Sequence, residues 1–375
     1  MIRRVSDLVM PNAKTAILPM SPRVRISDVA SALGITKGTV SRALNDYPDI
    51  SETTRRRVRR TAEAMGYRPL AQAQGMRTGR TRTLGLVLQT DIKGAQRPFL
   101  SDFLAGITRA ASAEFWTLTV ATSAGGEEML STLRRLVEER KSDGFILPRT
   151  RFDDARVKLL KELDVPFVLY GRVGDPDRCA WFDILGEEAM RDAVLRLAGH
   201  GHRRIGFVNG AAAYNFSRLR EEGFRAGMAD AGLALDEMLI VGEAMSRDAG
   251  SDATRRLLGA AVPPTAIVFA VDLAALGAYD AAQSAGLAIG SDLSVISYDG
   301  IPEGCWANPP LTTFSVDSRM AGERLAHFLI RRIRGEDPES LRETALAKLQ
   351  PGGSDGPPAM TSEEIAGRAA AAGIT

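Results

Sequence analysis

Cysteine is almost absent. Cys179 and Cys305 are the only two in 375 residues, which excludes a disulfide-stapled scaffold, and neither has a Cys or His neighbour at zinc-ligand spacing. Histidine is nearly as scarce. His200 and His202 flank Gly201 in a pattern that tempts a metal reading but suits a turn between a helix and a strand better. No metal and no cofactor are expected. Long apolar runs are missing too: none approaches the roughly 20 residues that cross a bilayer. The first twenty residues contain Arg3, Arg4, Asp7, Lys14 and two prolines, not the continuous apolar core of a signal peptide. A cytoplasmic protein with no membrane partner is expected. Catalytic signatures are also lacking, with no Gly-x-Ser-x-Gly, no Gly-x-x-x-x-Gly-Lys and no metal triad. The nearest approach to a phosphate loop, Ser123-Ala124-Gly125-Gly126, leads into Glu127 and Glu128. Negative charge at a helix start disfavours an anionic ligand. The sequence does not read as an enzyme.

What the chain does have is an uneven distribution of charge. It carries 48 Lys+Arg and 46 Asp+Glu, +2 in all. Residues 1–82 hold sixteen Lys/Arg against six Asp/Glu, +10, which leaves the rest at −8. A basic segment on an acidic body suits a nucleic-acid-binding head joined to a domain with another task. Within that head, residues 26–44 predict two short helices. Gly34 supplies the left-handed turn between them, and Thr36 caps the second. Val29, Leu33, Val40 and Leu44 fall on faces that pack together, while Lys37, Thr39, Ser41 and Arg42 stay outside. Such a pair can lay its second helix in a major groove; an ordinary helical hairpin is the plainer alternative. A third helix, capped by Ser51 and ending near Gly66, carries Arg55-Arg56-Arg57-Val58-Arg59-Arg60. Part of that run is expected to contact phosphates.

From residue 84 the pattern changes. Short apolar runs at 84–89, 117–121, 144–147, 167–170, 204–209, 266–270, 294–298 and 312–316 alternate with helical segments, among them 99–114, 127–140, 186–198, 218–231, 249–259 and 273–285. This predicts parallel sheets covered on both faces. About 265 residues of it is long for one sheet, so two α/β lobes are expected, with a ligand cleft at the carboxyl ends of the strands. The tail after Leu349 is read as a loose extension holding a marginal helix at 362–372. The expected division is 1–20 N-terminal extension, 21–68 helix-turn-helix domain, 69–82 hinge, 83–349 two-lobed effector domain and 350–375 tail. Because Met20 stands just before the head, an upstream start codon is one source for residues 1–19.

Several motifs occur together and in order: Asp28-Val29-Ala30, Gly34, Thr39-Val40-Ser41-Arg42, Asn45, Ser51, Thr54-Arg55 and Gly66-Tyr67-Arg68-Pro69, then Gly201-His202-Arg203-Arg204-Ile205-Gly206-Phe207, Gly223-Phe224-Arg225-Ala226, Ser297-Tyr298-Asp299 and Pro310-Leu311-Thr312-Thr313. With these the chain resembles the LacI/GalR family of bacterial transcriptional regulators from about residue 25 to 349. The resemblance implies a multidomain protein: a small all-α helix-turn-helix head and a two-lobed, periplasmic-binding-protein-like sensor. It implies a homodimer on a near-palindromic operator. It also implies a hinge at 69–77 that becomes helical in the minor groove, with Met76 as the apolar wedge. Gly75 lowers helix propensity there by about 1 kcal/mol relative to Ala. DNA contacts are expected from Lys37, Gly38, Thr39, Ser41, Arg42, Asn45, Tyr67 and Met76. Lys37 can donate to guanine, whereas Gly38 has no side chain to do so.

For the sensor, the resemblance implies effector contacts from Arg220, Asp272 and Asp299, with Phe99 at the start of the first helix. Arg172, Trp181 and Trp306 complete the expected set, and Tyr170 and Tyr214 also lie at strand or loop ends. Arginine and aspartate suit sugar hydroxyls because one carboxylate accepts twice and one guanidinium donates several times. There are departures from the family pattern: Val271 and Gly300 replace Asn, Gly171 stands in place of Asp, the lobe-crossing pair reads Asp183-Ile184, and Arg25 replaces a capping Thr. Its aromatics and the end of Phe167-Val168-Leu169-Tyr170-Gly171-Arg172 resemble the branch that senses α-glucosides and related disaccharides. The expected function is a repressor released by a small sugar. A purine-type co-repressed regulator and a sugar-binding transport protein are the alternatives.

Overall fold

The computed structural model describes residues 24–67, 80–90 and 97–374, without the side chains of 97–99. The chain divides into two compact units between Gly79 and Arg80. The N-terminal extension and most of the hinge, including Met76, lie outside the described residues, as does the side chain of Phe99.

The first unit contains α1 (Ile26–Leu33), α2 (Lys37–Leu44) and α3 (Glu52–Ala64). Gly34 ends α1 at φ 66, a left-handed position that costs glycine little. Thr36 accepts from the Thr39 N–H at 3.1 Å and Ser51 from the Thr54 N–H at 3.3 Å, so both helix starts are capped as expected. Arg25 offers α1 no capping oxygen; Asp28 reaches back to the Arg25 N–H at 2.7 Å instead. Val29, Val40, Ala43, Val58 and Ala62 form one buried core from all three helices. Eight-residue helices are marginal alone, so this shared core is what holds α1 and α2.

The second unit holds two six-stranded sheets. The first lobe begins with β1 (Thr83–Gln89), α4 (Arg97–Ala113), β2 (Thr117–Ser123), α5 (Gly126–Glu138), β3 (Gly144–Leu147), α6 (Ala155–Glu162), β4 (Phe167–Tyr170) and β5 (Ala180–Ile184). The second follows with α7 (Gly186–Gly199), β6 (Ile205–Val208), α8 (Asn215–Asp230), β7 (Ile240–Val241), α9 (Arg247–Leu258), β8 (Ala266–Phe269), α10 (Asp272–Ser284), β9 (Ser294–Asp299), α11 (Pro302–Cys305) and β10 (Thr312–Ser315). The chain then returns to the first lobe for α12 (Ser318–Ile333) and β11 (Arg342–Ala345), and crosses again for β12 (Lys348–Gln350) and α13 (Ser362–Ala371). Sheet orders are β11-β5-β4-β3-β1-β2 and β12-β10-β9-β8-β6-β7. Pairing is parallel except for β12 against β10. Strands β3, β6 and β8 are buried along their whole length, as helices on both faces of a parallel sheet require.

The tail is not loose. Ser354 is fully buried, accepts from the Thr312 N–H at 2.8 Å and donates to the Val295 carbonyl at 2.6 Å. Asp355 accepts from Arg196 at 2.6 Å and from the Thr312 hydroxyl at 2.5 Å. Ile365 and Ala369 of α13 enter the core of the second lobe. The Pro- and Gly-rich composition that suggested a flexible extension supplies a fixed turn, because its polar groups pair with buried backbone. His200 and His202 do lie at a helix-to-strand turn. His202 bonds Thr265 at 2.7 Å and the Gly356 carbonyl at 2.9 Å, while His200 meets Asp355 at 3.2 Å.

Candidate functional site

In the first unit, α2 presents Lys37, Gly38 and Arg42 to solvent, with Thr39 and Ser41 half-buried beside them. Arg42 pairs with Asp49 at 2.5 Å and lies over the Tyr47 ring at 5.2 Å. The Thr39 and Thr36 hydroxyls are 2.9 Å apart. The Asn45 amide donates to the Ser41 carbonyl at 2.7 Å, closing the end of α2, and Tyr67 packs against the head core. The arginine run of α3 is largely committed within the head. Arg55 donates to the Ile50 carbonyl at 3.0 Å, Arg56 to Glu52 at 3.0 Å, Arg57 to the Leu33 carbonyl at 3.4 Å, and Arg59 to Asp46. Much of the run therefore braces the three helices.

In the second unit, a cleft of about 940 Å³ opens between the lobes. It is built from the carboxyl ends of β3, β4, β5, β9 and β10 and from the starts of α7, α8 and α12, the position where open α/β sheets bind ligands. Arg220 lines it from the second turn of α8. Its guanidinium lies 3.9 Å from the Tyr298 ring centroid and 4.6 Å from that of Phe216, and donates to the Ala270 carbonyl at 2.5 Å. What seats it there is Gly223. A Cβ at Gly223 would stand 2.0 Å from the Glu187 carbonyl, so only glycine lets α8 lie this close to α7. Arg172, after β4, donates to Asp183 at 2.6 Å and also to Glu187. Burial opposes the Arg172 charge, but Asp183 and Glu187 outweigh it and hold its pKa above the ordinary value. For Asp183 burial wins over Arg172, and its pKa is raised.

Asp299 ends β9 at φ 136, a strained conformation for a residue with a side chain. Its carboxylate is 3.9 Å from Arg220 and is 32% exposed, towards the cleft. Burial pushes its pKa up to about 7 against the pull of Arg220, and the charge of Asp272 adds to the rise. Because the folded pKa is raised, the native state keeps a proton that the unfolded chain releases near pH 4. This group's contribution to stability therefore falls as pH rises from about 4 to about 7. Its capacity as a hydrogen-bond acceptor has the opposite sign. Affinity for a hydroxyl-bearing ligand is expected to rise between pH 6 and 8, and Asp299→Asn to flatten that profile in calorimetric titrations.

Three expected effector residues are placed elsewhere. Asp272 is fully buried and does not line the cleft. It accepts from the Gly300 N–H at 2.8 Å, the Ile301 N–H at 2.9 Å and the Thr313 hydroxyl at 2.7 Å. It is a clamp on the turn after β9. Gly300 belongs to the same device, since a Cβ there would stand 2.5 Å from Ser315 Cβ. Asp272→Ala strands three buried donors and is expected to cost about 3 kcal/mol of stability, read as a lower denaturant midpoint. Trp181 sits mid-strand on β5, one pleat back from the cleft, with the Arg342 guanidinium 4.4 Å above its ring. Trp306 follows α11 and is 80% exposed, because the turn that buries Gly304 points the next side chains outward. Tyr170 does line the cleft, stacked on Phe103 at 5.3 Å, whereas Tyr214 is buried at the wall of a neighbouring pocket.

Sequence reasoning missed Arg149, Glu187, Phe216 and Arg319, all of which line the cleft. Arg149 stands two residues after β3, so the strand-end position that drew attention to Tyr170 applies to it as well. Glu187 stands in the first turn of α7, where an acidic residue is common for helix stability alone.

A helix-turn-helix head and a separate two-lobed unit with a polar cleft define a DNA-binding regulator carrying a ligand sensor. Comparison with known proteins agrees. The pattern for bacterial regulatory proteins of the lacI family matches residues 25–69, and that for a periplasmic binding protein-like domain matches residues 194–354. The HTH-type transcriptional regulator AglR of Rhizobium meliloti (strain 1021) is 36% identical over 89% of this chain and 95% of its own. RafR of Escherichia coli, also an HTH-type transcriptional regulator, is 31% identical over 86% and 96%. Among solved structures, the complex of the transcriptional regulator CelR with cellobiose is 29% identical, with a TM-score of 0.69 over 88% of this chain and 100% of that one. The chain belongs to the lacI family of bacterial regulatory proteins. It is a transcriptional regulator and not an enzyme.

Proposed function

We propose that the protein is a cytoplasmic, homodimeric repressor whose affinity for a near-palindromic operator is set by a neutral sugar in the interlobe cleft. The observation that carries the sugar reading is the charge balance of the cleft wall. Arg149, Arg172, Arg220, Arg319 and Lys348 face Asp102, Asp183, Glu187, Asp299 and Asp317. Fixed charges of both signs suit a ligand that donates and accepts many hydrogen bonds and carries no net charge. Glu187 Oε2 and Arg220 Nε are buried with no hydrogen-bond partner among the described residues. Buried polar groups in that state call for one. The complex of the related CelR with cellobiose points the same way.

In this reading Arg172, Arg220 and Asp299, with Asp183 and Glu187, hold the sugar. Lys37 reads a base edge, Gly38 lets the backbone approach, and Thr39, Ser41 and Arg42 add base or phosphate contacts. Asn45 and Tyr67 act by fixing α2 and the end of the head. The hinge around Met76 forms or melts as the sugar changes the separation of the two first lobes in the dimer. Among the described residues no helix is long and apolar enough to cross a membrane, which fits a regulator acting on DNA in the cytoplasm. The test is a footprint on the protein's own promoter region with a panel of mono- and disaccharides. A protected site that one sugar abolishes is the expected result. Protection that purines or phosphorylated metabolites alter, and sugars do not, overturns it.

A further inference from the structure

Beside the main cleft lies a second cavity of about 290 Å³, bounded by the start of α5, the start of α6 and the end of β1. The two share Pro148 and Arg149 as a common wall. Ligand clefts run to roughly 300–1,000 Å³, so the main cleft is already large, and the side chamber has room for one ring.

That wall is held in place. Arg156 forks onto Asp154 at 3.0 and 2.7 Å and donates to the carbonyls of Pro148 at 3.1 Å and Arg149 at 3.0 Å. Asp154 is almost completely buried; burial works against its charge, but Arg156 and backbone N–H groups outweigh it and keep its pKa below the ordinary carboxylate value. Arg149 is fixed at φ 51, a left-handed conformation that an arginine does not adopt freely. Its guanidinium lies over the Tyr214 ring at 5.6 Å. Strain maintained by a buried ion pair marks a wall that is positioned and not incidental. Inside, Val87, Met129 and Leu130 supply apolar surface, while Glu127 and Arg151 supply polar groups. This mixture fits a pyranose, with its apolar faces and hydroxyl rim.

We propose that this chamber is a second subsite, taking the second ring of a disaccharide whose first ring is held between Arg220 and Glu187. The inference rests on the sugar reading of the main cleft and adds what selects the ligand's length. The chamber is lined mainly by the first lobe, with Tyr214 from the second, so a two-ring ligand adds first-lobe contacts to those a single ring makes in the main cleft.

Ala155 lines the chamber and is exposed at the first residue of α6, so Ala155→Trp fills the space without entering a core. The test is calorimetric titration of the full-length protein and this variant with glucose, galactose, maltose, cellobiose and melibiose. The unaltered protein is expected to bind one disaccharide at least 10-fold more tightly than its component monosaccharides. Ala155→Trp is expected to remove that advantage and leave monosaccharide affinity within twofold. Glu127→Gln, which changes no volume, is expected to lower disaccharide affinity severalfold in the same selective way. A disaccharide advantage that survives both substitutions overturns the subsite while leaving the sugar reading intact. An unaltered protein that binds none of these sugars overturns both.

Discussion

Arg220→Ala is expected to abolish the response to effector while leaving operator affinity in its absence within twofold. The guanidinium lies 3.9 Å from the Asp299 carboxylate and is stacked between Tyr298 and Phe216. Charge-assisted hydrogen bonds are worth about 1.5–3 kcal/mol each. Losing two of them to a bound sugar lowers affinity by at least 100-fold, since each 1.4 kcal/mol is tenfold. The Asp299 carboxyl, already pushed up to about 7 by burial, loses its opposing charge and stays protonated to higher pH. Lysine is not a rescue, because it has neither the planar fork nor the stacking face. Calorimetric titration with the sugar bound by the unaltered protein reads the first effect, and fluorescence anisotropy on operator DNA reads the second. Loss of DNA binding instead would make Arg220 a structural brace between α8 and α10.

Lys37→Ala is expected to change which sequences are bound, not merely how tightly. Lys37 is exposed at the first position of α2, and Gly38 beside it has no side chain to share the readout. Removing a specific contact to a base costs about 1–3 kcal/mol and relaxes preference at that position, here at both symmetric halves of the operator. Arg42→Ala is the contrasting case. It weakens binding uniformly and lowers the log–log salt slope by about one unit. Because Arg42 is tied to Asp49 at 2.5 Å, its removal also leaves that carboxylate un-neutralised, and repulsion from the phosphates adds to the weakening. Binding selections from randomised half-sites separate the two. Uniform weakening by Lys37→Ala would make it a phosphate contact.

The parts of the fold most legible in the sequence were those fixed by local chemistry. Gly34, Thr36 and Ser51 mark helix ends through their own side chains or lack of one, and all three act where their types require. The fully buried strands were visible as apolar runs. β5 was not, because Trp181 and Asp183 alternate with buried Ala180, Phe182 and Ile184. Nor were β11, half-buried, and β12, exposed, which pair at sheet edges only because distant strands wait there. In the cleft, Arg172, Arg220 and Asp299 were found through family position, but the same reasoning misplaced Asp272. An aspartate at a strand end looks alike in sequence whether it faces a ligand or clamps a turn. Only the donors at Gly300, Ile301 and Thr313 decide it, and those lie 28 to 41 residues away in the chain. The tail shows the same limit, since nothing local to Ser354 announces its bonds to Val295 and Thr312.

If the cleft and the recognition helix are linked, sugar and operator must each change the other's affinity by the same factor. Sugar affinity is measured by titration calorimetry on the protein, free and saturated with operator DNA; operator affinity is measured at the same salt with and without saturating sugar. Linkage requires the two ratios to be equal, and a factor of roughly 5–150 is the usual range of such coupling. Equal factors above about 5 are the predicted result. A sugar that binds the cleft with the same affinity whether or not DNA is present contradicts the account.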